Sequence, residues 1–242
     1  MARLDRKDVV TPLVFRRGIL TTEEIMKSKQ YTGALSLAFF GLLMALMPVS
    51  KPEAAELLLP QQAIENASTQ LKEKLQNPSF TKDFAQITEF VESVIYPHVD
   101  FNRISALVLG RLWRTASPEE RVRFTKEFQT LLIRTYSRAF VEFNDWSVRF
   151  LPLKMAPGIK KVVVKTEILQ PGIQPIGVDY RMLLVKGQWK VYDIMIEGVS
   201  LVTNYRTTFN NEVKSKGSLT AVIDALATRN TEALAANQAS ES

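Results

Sequence analysis

The sequence has no cysteine and a single histidine, His98. The first absence excludes a disulfide scaffold, a thiol nucleophile, an iron–sulfur cluster, a Cys-based zinc site and a lipid-modified cysteine. The second excludes a His-rich metal centre and confines any Ser-His-Asp triad to one residue. Neither a GxGxxG nor a GxxxxGK loop occurs, so no glycine-rich phosphate cradle is present. Charge of one sign is also scarce. The net charge is +6, but residues 1–55 carry eight Lys/Arg and five Asp/Glu, leaving 23 basic and 20 acidic groups, net +3, for the other 187 residues. These are interspersed, which argues against a nucleic-acid partner. What is there is a globular composition: 242 residues, 46% hydrophobic and 23% charged. That is enough apolar side chain for a sizeable core and excludes global disorder or a fibrous architecture.

Residues 34–50, ALSLAFFGLLMALMPVS, form an uncharged apolar run preceded by Lys27 and Lys29 and followed by small residues at Ala54 and Ala55. This is the pattern of a secretory signal peptide, cut after Ala54 or Ala55. The run falls short of the roughly 20 residues of a membrane-spanning helix; an uncleaved anchor is the competing reading. Residues 1–25 are too long and too mixed in charge for a leader, whereas Met26 opens one of ordinary proportions. The division expected is residues 1–55 as leader with an artefactual extension, 56–229 as one folded domain, and 230–242 as a disordered tail.

Within the domain, Ile64, Ala67, Leu71 and Leu75 recur at helical spacing, as do Phe84, Ile87, Phe90, Val91 and Val94. Asp100 reads as an N-cap for FNRISALVLGRLW. Ser117-Pro118-Glu119-Glu120 combines a capping Ser, Pro at the first helical position and acids in the first turn, opening a long helix to residue 144. From residue 146 the period becomes two. Stretches 146–153, 160–169, 176–186 and 188–198 read as four strands, with turns at Pro157-Gly158, Pro171-Gly172 and Lys186-Gly187. Residues 199–217 read as a loop or short turn and 218–229 as a helix. Helices first and sequential strands second imply an α+β fold: a curved antiparallel sheet of about four strands wrapped on a long helix, a shape that can enclose a cavity.

The candidate chemistry is sparse. His98 and Asp100 could form an acid–base pair, but a Pro-containing turn and a helix cap explain them more simply. Glu119 and Glu120 are explained by their place in the first turn. Asp193 and Glu197 share a face with Trp189 and Val191 if the alternation is strict. A buried acid there is either a catalytic group or an acceptor for a Tyr or Arg, and the second is favoured. Parity places Lys165, Glu167, Asp179 and Arg181 on the outer side of the sheet and turns Val148, Phe150, Val162, Val164, Val178, Tyr180 and Met182 inward, toward the long helix. Periodicity alone leaves open whether these seven fill a core or line an apolar pocket.

Two stretches carry a family resemblance. YPHVDFNRISALVLGRLWRTASPEERVRFTKEFQTLLIRTY (96–136) contains an Asp-Phe step and Leu-Gly-x-x-Trp. WKVYDIMIEGVSLVTNYRTTFNNEV (189–213) contains Trp-Lys-Val-Tyr-Asp followed by Glu-Gly-Val-Ser and an Arg. Together, and in this order, they resemble the MlaC or toluene-tolerance family over roughly residues 60–228; the long N-terminal extension departs from it. The resemblance implies a nuclear-transport-factor-2-like sheet and helix with an added helical subdomain. It implies a pocket for the acyl chains of one phospholipid, held as cargo with no cofactor and no catalysis. It also implies a periplasmic location and two docking partners: an outer-membrane lipoprotein–porin complex and an inner-membrane ABC transporter with an MCE-domain subunit. Each buried CH₂ is worth roughly 0.8 kcal/mol, so two chains of about 16 carbons would lose on the order of 25 kcal/mol on entering water. A carrier must therefore cover nearly all of that surface. The alternative from another class is a small-molecule enzyme on the same fold with Asp193 or Asp179 as base. A third reading is an interaction module with a filled core.

Overall fold

The computed structural model describes residues 56–239, apart from residues 78, 83, 143 and 144. The leader expected over residues 1–55, with its start at Met26, lies outside the described residues.

The first helix, α1 (Leu59–Leu75), begins with Pro60 in its first turn and buries Ile64, Ala67, Leu71 and Leu75, the stripe expected from spacing. Gln61, only 5% exposed, fixes where it lies. Its Oε1 accepts from the Leu58 N–H at 3.1 Å, and its Nε2 donates to the Leu151 carbonyl at 3.1 Å. A short 3₁₀ turn (Phe80–Lys82) leads to α2 (Phe84–Ile95), and a second one, Tyr96–His98, contains Pro97, whose missing N–H cannot continue the α-helix. Asp100 then caps α3 (Phe101–Leu109), its Oδ1 accepting from the Arg103 N–H at 3.0 Å. Gly110, at φ +57, turns the chain into α4 (Arg111–Thr115).

The long helix α5 (Pro118–Glu142) starts with a reciprocal cap. Ser117 Oγ accepts from the Glu120 N–H at 3.1 Å, and Glu120 Oε2 accepts from the Ser117 N–H at 2.9 Å. The Ser117 N–H, and then the Thr220 hydroxyl, hold the Glu120 carboxyl below its ordinary pKa. These acids serve the helix start, as their position predicts.

Five strands follow, β1 (Ser147–Phe150), β2 (Lys161–Gln170), β3 (Ile173–Val185), β4 (Gln188–Ile196) and β5 (Val199–Ser200), in one antiparallel meander of order β1-β2-β3-β4-β5. The fifth is short and was not expected. It is made by Glu197 (φ +48) and Gly198 (φ +78), a two-residue hairpin turn of the kind also made by Lys186 (φ +47) and Gly187 (φ +81).

Residues 199–217, expected as a loop or short turn, are largely a helix, α6 (Leu201–Lys216). Its Thr and Asn content is unfavourable, but Ser200 caps it at 3.1 Å from the Thr203 N–H and Gly217 closes it at φ +83. Buried Leu201, Val202 and Phe209 hold it in place. The last helix, α7 (Leu219–Ala239), runs ten residues past the expected end. Residues 230–239 are thus helical and not a disordered tail; Ala, Leu and Glu favour continuation. Asn230, 2% exposed, anchors the turn by donating to the Glu127 carbonyl at 2.9 Å.

The helices enclose a cluster built on Val108 and Leu109 of α3, Phe124 and Phe128 of α5, Phe209 of α6, and Val222, Ile223 and Leu226 of α7. A second cluster, with Leu71, Ile87, Val91, Ile133 and Trp146, ties α1, α2 and α5 to the start of β1. A third lies between α1 and the sheet. Among the described residues, no helix is long and apolar enough to cross a membrane.

Candidate functional site

The register of the sheet sets which side chains meet. Val162 lies opposite Met182, Val164 opposite Tyr180, and Thr166 opposite Val178. Val148 lies opposite Ile168 and Phe150 opposite Thr166. Directly opposed residues share a face, so Val148, Phe150, Val162, Val164, Val178, Tyr180 and Met182 stand on one face, as their parity predicts. The other face carries the charges: Arg149 pairs with Glu167, Lys165 with Asp179 at 3.9 Å, and Arg181 with Asp193 at 3.2 Å.

The apolar face is covered. Val164 and Met182 have no exposed surface. Ile64 and Ala63 of α1 pack on them, with Leu153 and Met155 from the segment after β1. The described side chains of α5 meet the sheet's apolar face nearer β1, where Ile133 and Leu132 join Trp146, Val148 and Ile168. The helix over the centre is therefore α1. This corrects the expectation that the seven residues face the long helix, because an amphipathic stripe does not say which surface it will cover. Thr166, 1% exposed, is the polar residue of this face and spends its hydroxyl on the Val178 carbonyl at 2.8 Å. Burial pushes the Tyr180 hydroxyl up to about 12, with a hydrogen bond to Thr166 acting the other way. Tyr180 is therefore a neutral, amphipathic wall residue at physiological pH.

Trp189, Val191 and Ile194 of β4 complete the face. Strict alternation would put Asp193 beside Trp189 and Val191, and the structure corrects this. Arg181 lies opposite Asp193, but the next residue, Met182, lies opposite Val191, so Tyr192 is an extra residue, a bulge that shifts the parity. Asp193 is thereby turned to the opposite face and lies 3% exposed under α6. Besides Arg181, its carboxylate accepts from Ser200 Oγ at 2.8 Å and from the Val202 N–H at 3.2 Å. It is the hydrogen-bond acceptor favoured on sequence grounds, and it joins β3, β4 and the start of α6. Asp179 sits on the charged face against Lys165.

A cleft of about 170 Å³ opens beside Val148 and Phe150, lined also by Trp146 and Ser147 and by Glu65 and Lys72 of α1. Another, of about 320 Å³, lies between α1 and α2 at Gln70, Glu73, Lys74 and Phe90. Of the two, the first touches the apolar face.

Fold and face together define an α+β protein in which a helix covers an apolar, uncharged face of an antiparallel sheet. The sequence matches the MlaC protein family over residues 65–228, more than half of the chain, and the chain belongs to that family. It is 25% identical over 126 residues to toluene tolerance protein ttg2D of Pseudomonas putida, a match covering 52% of this chain and 58% of that relative, so under two thirds of the relative's length. It is 24% identical over 153 residues to the intermembrane phospholipid transport system binding protein MlaC of Haemophilus influenzae, covering 62% and 71% of the two chains. A solved structure of a phospholipid-binding protein from Ralstonia solanacearum, in complex with a phospholipid, is similar at a TM-score of 0.67 and 29% identity, covering 73% of this chain and 98% of that one.

Proposed function

We propose that this protein binds a phospholipid by its acyl chains against the apolar face of the sheet and carries it across the periplasm. Its exchange partners are an outer-membrane lipoprotein–porin complex and an inner-membrane ABC transporter with an MCE-domain subunit, and its work maintains the lipid asymmetry of the outer membrane. Membership of the MlaC family and the phospholipid in the Ralstonia relative support this reading. The observation that carries it is the single apolar face on which Val148, Phe150, Val162, Val164, Val178, Tyr180 and Met182 all stand. At about 170 Å³ the cleft beside Val148 and Phe150 is smaller than the roughly 300–1,000 Å³ of ligand pockets. Chains entering there displace α1 from the sheet. Aliphatic and Met walls re-form around such a ligand without a preferred geometry.

The enzyme reading loses its base. Asp193 is committed to three donors and faces away from the apolar surface, and Asp179 is on the charged face. Mass spectrometry of the protein recovered from the periplasm tests the proposal. Co-purifying diacyl phospholipid of several headgroup classes is expected; protein that carries none, even after incubation with phospholipid vesicles, overturns it.

A further inference from the structure

One end of the sheet is basic without compensation. Residues 151–166 and 180–192 contain no acidic residue, and the fold brings them together. The Leu184 N–H donates to the Lys160 carbonyl at 2.9 Å, and Lys161 lies opposite Leu183, which in turn lies opposite Lys190. Lys186, in the β3–β4 turn, is two residues beyond Leu184. Lys154, Lys160, Lys161 and Lys186 are all exposed. Among the described residues none of these four has a carboxylate partner. The nearby cations Lys165 and Arg181 do, in Asp179 and Asp193, so those pairs cancel and the four lysines do not. Ile159 and Val163, each 39% exposed, lie among them. The opposite end differs: the β2–β3 hairpin, residues 168–176, has no charged residue at all.

We infer that the lysine-bearing end of the sheet docks on an anionic phospholipid bilayer. Lipid phosphates present a plane of negative charge, and lysines on a flat strand end reach such a plane together while keeping their ammonium groups hydrated. Exposed Ile159 and Val163 add the apolar contact that distinguishes a headgroup layer from a merely anionic surface. This docking is separate from what the apolar face holds, and the two fail independently.

The test is flotation of the purified protein with phosphatidylcholine vesicles with and without phosphatidylglycerol. Binding to the anionic vesicles only is expected, weakening steeply as salt rises from about 50 to about 500 mM. The triple reversal Lys160→Glu, Lys161→Glu, Lys186→Glu should lower the partition coefficient by about tenfold or more. Reversal of Lys214 and Lys216, at the far end of α6, should leave it within about twofold. Melting temperature and lipid recovered per protein should be unchanged in the triple variant, which separates lost docking from lost folding or lost lipid binding. A neutral variant, with Gln at the same three positions, should fall between. Equal binding to neutral vesicles, a reversal variant that floats as the unchanged protein does, or no binding to anionic vesicles at low salt each overturns the inference; the last would assign the patch to an acidic protein face instead.

Discussion

The helical interior around Phe124 and the interior between α1 and the sheet are equally buried, but they are made of different side chains. In the first, aromatic rings interlock: Phe124 meets Phe209 edge-on at 5.0 Å, and Phe128 meets Tyr205 at 5.0 Å and Phe209 at 5.5 Å. Rings at such geometry favour one arrangement over its neighbours. In the second, the centre is Val162, Val164, Met182, Val191 and Ile64, with the rings of Trp189 and Tyr180 beside it. Aliphatic and thioether groups have no such directional preference, and volume can be redistributed among them at modest cost. The molecule thus joins an interior of interlocked rings to one of mostly aliphatic groups, and the second is the one proposed to hold acyl chains.

The contrast breaks most visibly by truncation. Phe128→Ala should cost about 3–5 kcal/mol in denaturant unfolding, while the folded fraction keeps its lipid content. Enlargement sharpens the comparison. Val222 and Val164 both have no exposed surface. Val222→Trp should cost toward or beyond the upper end of the roughly 1–3 kcal/mol of overpacking, and Val164→Trp toward the lower end. Only Val164→Trp should also reduce lipid recovered per protein. If Val164→Trp unfolds the protein, or leaves bound lipid unchanged, the apolar face is an ordinary core.

A smaller effect concerns Gln61, which ties the start of α1 to the segment after β1. Gln61→Ala removes the bond to the Leu151 carbonyl and should cost about 1–2 kcal/mol, with faster release of lipid to acceptor vesicles in a fluorescence assay. Unchanged release would place the moving element elsewhere than α1.

The smallest effect is alkaline. Tyr180 has its pKa raised from 10.0 to about 12 by burial, so the fold requires the neutral phenol. Its contribution is whole below pH 10 and is lost as pH rises through about 12. Burial also raises Tyr136 and Tyr205 in the helical interior. Tyr180→Phe should therefore flatten, without abolishing, the fall in melting temperature above pH 10.

Local chemistry made much of this legible in sequence. Asp100 and Ser117-Pro118-Glu119-Glu120 marked helix starts because caps act within three residues. The alternation of β2 gave the apolar face because period two leaves no freedom once one side is charged. The same reading missed α6, although Leu201, Tyr205, Phe209 and Val213 repeat every four residues between a capping Ser200 and Gly217. Threonine and asparagine content outweighed a periodicity that only packing against α3 and β4 makes decisive. The cover of the sheet was not legible either. Ile64 on α1 and Ile133 on α5 belong to equally good stripes, and the partner each finds depends on the path of the whole chain.

The bulge at Tyr192 makes β4 a strand counted modulo two, with one carry. Every residue before it keeps one parity and every residue after it the other. Were Tyr192 to pair regularly instead of bulging, Trp189 and Val191 would stay in place while inside and outside were exchanged beyond them, driving the Asp193 carboxylate into the apolar layer and Ile194 out of it; deleting Tyr192 would leave Val191, Asp193 and Ile194 on their present faces in an unbulged strand. One skipped pairing in this strand therefore sets the sidedness of everything downstream of it, which makes the bulge, more than the length of β4, the feature that fixes where the Asp193 carboxylate lies.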